Sequence, residues 1–237
     1  MIWCLPGFLG RASDWDAFAT AATARGLPAV EAVNLFGRPV TGSLAGWADA
    51  FTDTVARRDE RPLLVGYSLG GRLALHALIA DPDRWRGAVV VSAHLGYEDA
   101  GEREARRQDD EAWAQRFALE PWETALESWD ARPAFGGRPR TLARPADAFD
   151  PQAIAHGLRV WGLGQQEGLA ARLAAVTCPV LWIAGARDPR FRAQAERAMQ
   201  YLPRGALAVA PGAAHRVPWE APEWFHTSAC AFLQTLT

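Results

Sequence analysis

The stretch Pro62-Leu63-Leu64-Val65-Gly66-Tyr67-Ser68-Leu69-Gly70-Gly71-Arg72-Leu73-Ala74-Leu75-His76-Ala77-Leu78 decides the reading of this chain. It opens with a short apolar run that reads as a buried strand and closes with a run that reads as a helix. Between them lies Gly66-Tyr67-Ser68-Leu69-Gly70, a G-x-S-x-G sequence followed by one more glycine. A serine at a strand-to-helix junction, flanked by glycines, sits on a turn too tight for bulkier neighbours, and the turn pushes its hydroxyl out above the sheet. Ser68 is therefore the candidate functional serine. The bland alternative is a Gly-rich turn that only brings a helix close to a sheet.

Outward from this point, apolar runs with β character fall at 2–5, 29–33, 63–65, 88–91, 180–183 and 207–210. Helical patterns occupy 14–25, 44–57, 71–79, 190–202 and 224–236. Strands alternating with helices define an α/β chain whose mostly parallel sheet carries helices on both faces. The elbow resembles that of the α/β-hydrolases. In that fold the strand entering the loop Pro6-Gly7-Phe8-Leu9-Gly10 is normally the third, so the resemblance implies a minimal six-stranded sheet in the order 2-1-3-4-5-6. The rhythm breaks over 95–172, where no convincing strand occurs. This segment is expected to be a helical cap over the C-terminal strand edge, where open α/β sheets bind ligands. The α/β core then comprises 1–94 and 173–237. A separate small helical domain is the other reading of 95–172.

A serine needs a histidine to take its proton and an acid to orient that histidine. In this fold they follow the serine in the order acid, histidine, each just after a late strand. Gly185-Ala186-Arg187-Asp188 follows the fifth apolar run, and Pro211-Gly212-Ala213-Ala214-His215 follows the sixth. Asp188 and His215 are the candidates. His226 and His76 fall inside helical patterns, His156 falls in the cap segment, and Asp147 and Asp150 lie in a cap loop. His94 follows the fourth strand directly and is a candidate to line the site or, alternatively, a histidine held by backbone bonds. The backbone N–H groups of Phe8 and Leu69 are the candidate oxyanion hole, each such donor being worth about 3 kcal/mol.

Composition narrows the partners. The 237 residues carry a formal charge of −2 with 49% hydrophobic residues, which fits one globular domain with an insertion. There is no run of membrane-span length and no basic stripe for nucleic acid. The start lacks a basic region before its short apolar stretch, so no signal peptide is expected. Three cysteines, widely separated at positions 4, 178 and 230, read as reduced thiols of a cytoplasmic protein, with no metal-ligand spacing. Every basic side chain other than histidine is arginine, the better bidentate partner of carboxylates. Arg72 opens the elbow helix beside Ser68. Arg103 and Arg106, three apart, share a helix face in the cap. Together they suggest a small-molecule polycarboxylate, although Glu102, Glu104, Asp109 and Asp110 offer them partners on a solvated face.

Several motifs strengthen the first alternative. Gly66 to Arg72, Ser92-Ala93-His94-Leu95-Gly96, the Glu/Arg-rich run to Asp109, Trp113, Arg116-Phe117, Trp129, Arg132-Pro133-Ala134-Phe135 and Gly185 to Phe191 resemble one branch of the α/β-hydrolases, the 2-succinyl-6-hydroxy-2,4-cyclohexadiene-1-carboxylate synthases of menaquinone biosynthesis. The resemblance implies a lyase that needs no cofactor and eliminates pyruvate from a cyclohexene tricarboxylate. In it Ser68, with His215 and Asp188, acts as a base rather than a nucleophile. It further implies that Arg72, Arg103 and Arg106 hold carboxylates, that Tyr67 and Trp129 line the pocket, and that Arg190 replaces a common lysine with the charge kept. The sequence departs from the family pattern at Pro6, at Asn34-Leu35-Phe36-Gly37-Arg38 and at Glu98. The alternative is a serine carboxylester, thioester or carbon–carbon bond hydrolase with the same triad.

Overall fold

The computed structural model describes residues 1–37, 40, 42–137 and 142–237; Arg38, the end of the altered loop, lies outside them. Six strands, β1 (Ile2–Leu5), β2 (Val30–Ala32), β3 (Leu63–Tyr67), β4 (Gly87–Val91), β5 (Val180–Gly185) and β6 (Gly205–Ala210), form one sheet in the order β2-β1-β3-β4-β5-β6. Every pairing is parallel, and the order is the one the sequence leads us to expect. The strands extend beyond their apolar runs at β3, which takes in Gly66 and Tyr67, and at β5, which reaches Gly185. Parallel pairing needs only backbone groups, so glycines at strand ends remain in the ladder.

Side-chain alternation explains why the four central strands, β1, β3, β4 and β5, are apolar throughout. Trp3 and Leu5 face one core, together with Leu64, Val90 and Trp182. Ile2 and Cys4 face the other, together with Leu63, Val65, Val89 and Ile183. A sheet buried on both faces leaves no position for the polar half of an alternating pattern. Helices α1 (Asp16–Thr23), α2 (Leu44–Ala56) and α3 (Leu69–Ala80) follow the first three strands in turn. Ser43 caps α2 by accepting from the Gly46 N–H at 3.1 Å, which satisfies one otherwise orphaned donor. Among the described residues no helix is long and apolar enough to cross a membrane.

Between β4 and β5 the chain builds α4 (Ala100–Leu119), α5 (Trp122–Asp130) and α6 (Pro151–Trp161). These helices carry an apolar cluster of their own, including Phe117, Trp122, Leu126, Trp129, Ile154 and Leu158, which reaches the core loop through Leu9 and Phe8. Asp99 caps α4 through the Glu102 N–H at 2.8 Å, and Asp150 caps α6 ahead of Pro151, the order a helix start favours. The charged surface of α4 is laced by pairs one turn apart, such as Arg107 with Glu104 and Arg116 with Glu120. After β5 come α7 (Pro189–Ala198), then β6, α8 (Val217–Glu220) and α9 (Pro222–Gln234).

Candidate active site

Ser68 has φ 53° and ψ −110°, a left-handed conformation that a side chain adopts only when its surroundings enforce it. The enforcement is steric and local. A Cβ on Gly70 would lie 2.1 Å from the Leu5 carbonyl oxygen, and one on Gly66 would lie 2.5 Å from the Gly70 oxygen. The β3–α3 turn is thus packed backbone against backbone. The Ser68 N–H donates to the Val91 carbonyl at 2.9 Å, which fixes the serine at the C-terminal end of the sheet.

His215 Nε2 stands 3.0 Å from Ser68 Oγ, and its Nδ1 stands 3.0 Å from Asp188 Oδ2. Asp188 divides its oxygens between two tasks. Oδ1 caps α7 by accepting from the Phe191 N–H at 3.2 Å, which leaves Oδ2 aimed at the imidazole. A carboxylate can only accept, so Nδ1 carries the proton and Nε2 is left to accept from the serine hydroxyl. Asp188 and His215 are both 4% exposed, and Phe191 packs on the imidazole with centroids 4.2 Å apart. Glu220 staples the histidine loop: its carboxylate accepts from the Ala214 N–H at 2.6 Å and the Arg216 N–H at 3.0 Å.

Ser68 opens into a chamber of about 110 Å³. Phe8, Leu69, Arg72, His94, Arg106, Trp129, Arg190 and His215 line it, joined by Asp110 and Arg132. Arg132 was quoted in the sequence only as part of a motif. Its guanidinium lies 4.4 Å over the Trp129 ring and 5.2 Å from that of Trp113, held also by Asp109 at 3.2 Å. The aromatic spacing that builds this sandwich comes from two different helices, so no local pattern revealed it. Burial, reinforced by Arg106, pushes the Arg132 pKa down. The loop carrying Phe8 presses on the serine, since a Cβ on Gly7 would lie 3.4 Å from Ser68 Cβ.

The expected arginines separate into different positions. Arg72 lines the chamber but is held from the cap side. Its guanidinium donates to the Trp161 carbonyl, to the Gly162 carbonyl at 3.4 Å and to Gln166 Oε1 at 3.1 Å. Burial pushes its pKa down to about 9, opposed by Asp110. Arg106 pairs with the buried Asp110 at 2.8 Å and still faces the chamber. Arg103 does not line either cavity at Ser68; it reaches the Tyr97 carbonyl at 3.4 Å. Three residues along a helix leave a 60° offset and nearly a turn of rise, which carries Arg103 past the chamber toward the β4–α4 connection. Arg190 lines the chamber and donates to the Tyr97 hydroxyl at 2.9 Å. Glu98, a departure from the family pattern, is paired with Arg197.

His94 is 4% exposed, and its Nδ1 accepts from the Gly96 N–H at 2.9 Å. The ring proton therefore sits on Nε2. Burial, then Arg190, Arg72, Arg106 and Arg197, push its pKa down to about 3; Tyr97 and Phe191 complete its surroundings. The sign follows from linkage. The unfolded chain takes up this proton near the ordinary value of 6.5, the folded chain only near 3, so the stability His94 carries is complete above pH 6.5 and declines as pH falls below it. His76, pushed down to about 4 by burial, acts in the same direction. Denaturant titrations of His94→Gln between pH 7 and 5 should show a shallower loss than wild type; an equal slope would contradict a neutral buried His94.

Tyr67 and Trp129 bound a second cavity of about 70 Å³, which also touches Ser68. The Tyr67 ring packs edge-on against Trp219 at 4.8 Å, and burial pushes its pKa up. Trp129 lines both cavities.

This fold and elbow are those of an α/β-hydrolase, and the chain belongs to the alpha/beta hydrolase family, whose profile matches residues 4–227. Within that family it is 34% identical over 249 aligned residues to the 2-succinyl-6-hydroxy-2,4-cyclohexadiene-1-carboxylate synthase of Yersinia pestis (strain Pestoides F), covering 98% of this chain and 86% of the relative. The synthase of Yersinia pseudotuberculosis serotype O:3 (strain YPIII) is 33% identical over the same shares. Among solved structures, MenH from S. aureus superposes with a TM-score of 0.88 at 22% identity, covering 99% and 93% of the two chains. A thermophilic esterase from Thermogutta terrifontis superposes at 0.74 with 20% identity, covering 99% and 89%.

Proposed function

We propose that this protein is a cofactor-free lyase that eliminates pyruvate from a cyclohexene tricarboxylate, with Ser68 as the base, His215 as its proton acceptor and Asp188 as the group that orients His215. The observation that carries this reading is the ring of Arg72, Arg106, Arg132 and Arg190 around Ser68 and His215. Four guanidinium groups in one small chamber suit a substrate with several carboxylates, and an ordinary ester has no use for them. The full-length similarity to the synthases supports the same reading.

In the proposed step Ser68 Oγ removes a ring proton while passing its own proton to His215 Nε2. The C–H electron pair moves through the ring double bond and expels the enolpyruvyl oxygen. The leaving enolate takes up one proton, the imidazolium of His215 gives one up, directly or through solvent, and the products are pyruvate and a neutral triad histidine. The N–H groups of Phe8 and Leu69 hold the negative charge that develops on the substrate oxygen, and residues 95–172 act as the cap that excludes water. The test is pyruvate release from the tricarboxylate, generated in place by the enzyme that forms it. Release well above the spontaneous rate supports the lyase. A rate equal to the spontaneous one sinks it, and a stoichiometric burst with an activated ester would then point to an acylating hydrolase.

The arginines give a graded expectation. Arg106→Ala should raise KM or lower kcat by an amount worth about 1.5–3 kcal/mol if it holds a carboxylate. Arg103→Ala, outside the chamber, should stay close to wild type. Equal effects in steady-state kinetics would contradict the assignment.

A further inference from the structure

Ser68 touches two cavities, and Phe8, Trp129 and Phe135 are shared between their walls. The two differ in charge. Four arginines and one aspartate line the larger; Arg144, Arg216 and one aspartate, Asp130, line the smaller. The smaller also holds the Tyr67 phenol, whose raised pKa keeps it a neutral donor.

Its two arginines are differently occupied. Arg144 grips both oxygens of Asp14, at 3.0 and 2.7 Å, so its charge is matched. Arg216 places Nη2 on Asp130 and stacks its guanidinium 3.9 Å over the Phe135 ring. Among the described residues its Nη1 is buried without a hydrogen-bond acceptor. A buried N–H in that state carries an uncompensated desolvation cost, which an acceptor oxygen entering beside Phe135 removes once the guanidinium turns toward it.

We propose that the protein has two anion sites, one on each side of Ser68, and that the smaller, built by Arg216 and Tyr67, takes a small monocarboxylate: the three-carbon 2-oxo acid. This rests on the lyase reading. Elimination splits a tricarboxylate into a ring with two carboxylates and an acid with one. The more strongly charged chamber suits the first fragment and the weakly charged one the second. The breaking C–O bond then lies at the junction of the chambers, beside Ser68.

The test is binding rather than turnover. Pyruvate and succinate serve as monocarboxylate and dicarboxylate probes in ligand-observed NMR titrations of the full chain. Wild type should bind both. Arg216→Gln should weaken pyruvate by roughly tenfold or more, the scale of a lost charge-assisted contact, and leave succinate near wild type; Arg132→Gln should do the reverse. Tyr67→Phe keeps the ring packing and should weaken pyruvate alone, so the proposal remains testable if Arg216→Gln does not fold. No pyruvate binding to wild type, or loss of both probes with Arg132→Gln and neither with Arg216→Gln and Tyr67→Phe, overturns the second site. The crossed pattern without pyruvate release would sink the lyase reading but keep two anion sites. Release without the crossed pattern would sink only this inference.

Discussion

On the proposed lyase reading, Ser68→Ala should lower the rate of pyruvate release by about two to four orders of magnitude, the range a positioned general base contributes. The substitution removes Oγ and its 3.0 Å contact with His215 Nε2 while leaving the chamber and its arginines in place, so KM should change little. His215→Ala should cost a similar factor, and the double variant should cost scarcely more than either single one, because groups that act as a unit are not additive. The expected pattern is thus a collapse in kcat at nearly constant KM, read by coupled detection of pyruvate. Release by Ser68→Ala within a few-fold of wild type would remove Ser68 from the chemistry and transfer the role of base to His215 itself.

Gly70→Ala should be among the most damaging single-methyl changes in the core. The new Cβ would sit 2.1 Å from the Leu5 oxygen and 2.5 Å from the Pro6 oxygen. Both are backbone atoms, one at the end of β1 and one in the loop that bears Phe8. Neither can turn aside as a side chain would. Relief requires α3 to move off β1, which also moves Ser68. Overpacking a tight core typically costs 1–3 kcal/mol, and with no flexible neighbour the cost here should be about 3 kcal/mol or more. For a chain of this size that lowers the melting temperature by roughly 6–12 °C. Gly26→Ala is the control: φ is +71° there but nothing lies within 4 Å, so only local backbone strain of about 1–2 kcal/mol is expected. Equal melting temperatures for the two variants would show that the elbow is looser than its contacts imply.

The same contacts explain what was legible beforehand. The elbow is a local device in which spacing, side-chain size and the neighbouring apolar runs all lie within seventeen residues, so Ser68 could be read directly. Asp188 and His215 were readable for a related reason: parallel strands deliver their C-terminal loops to one edge, and chain order says which loops those are. Arg103 and Arg106 show where this stops. Periodicity gave them a shared face, but the direction of that face depends on how α4 rolls against α6, and the roll leaves only Arg106 in the chamber. Arg132 was hidden for the opposite reason, because its position is set by Trp113 and Trp129 from separate helices.

By itself the sequence determined the alternation of strands and helices, its break between β4 and β5, and Ser68, Asp188 and His215 as candidates, because buried strands, glycine turns and loop order are written in consecutive residues; the strand order came from the family resemblance and is the one the sheet adopts. The tertiary structure alone decided which arginines surround Ser68, that Glu220 holds the histidine loop, that Arg72 is bound by cap carbonyls and that two cavities meet at the serine. Those facts depend on packing between elements distant in the chain, where one rotation of a helix exchanges a cavity-lining cation, Arg106, for one outside the cavity, Arg103.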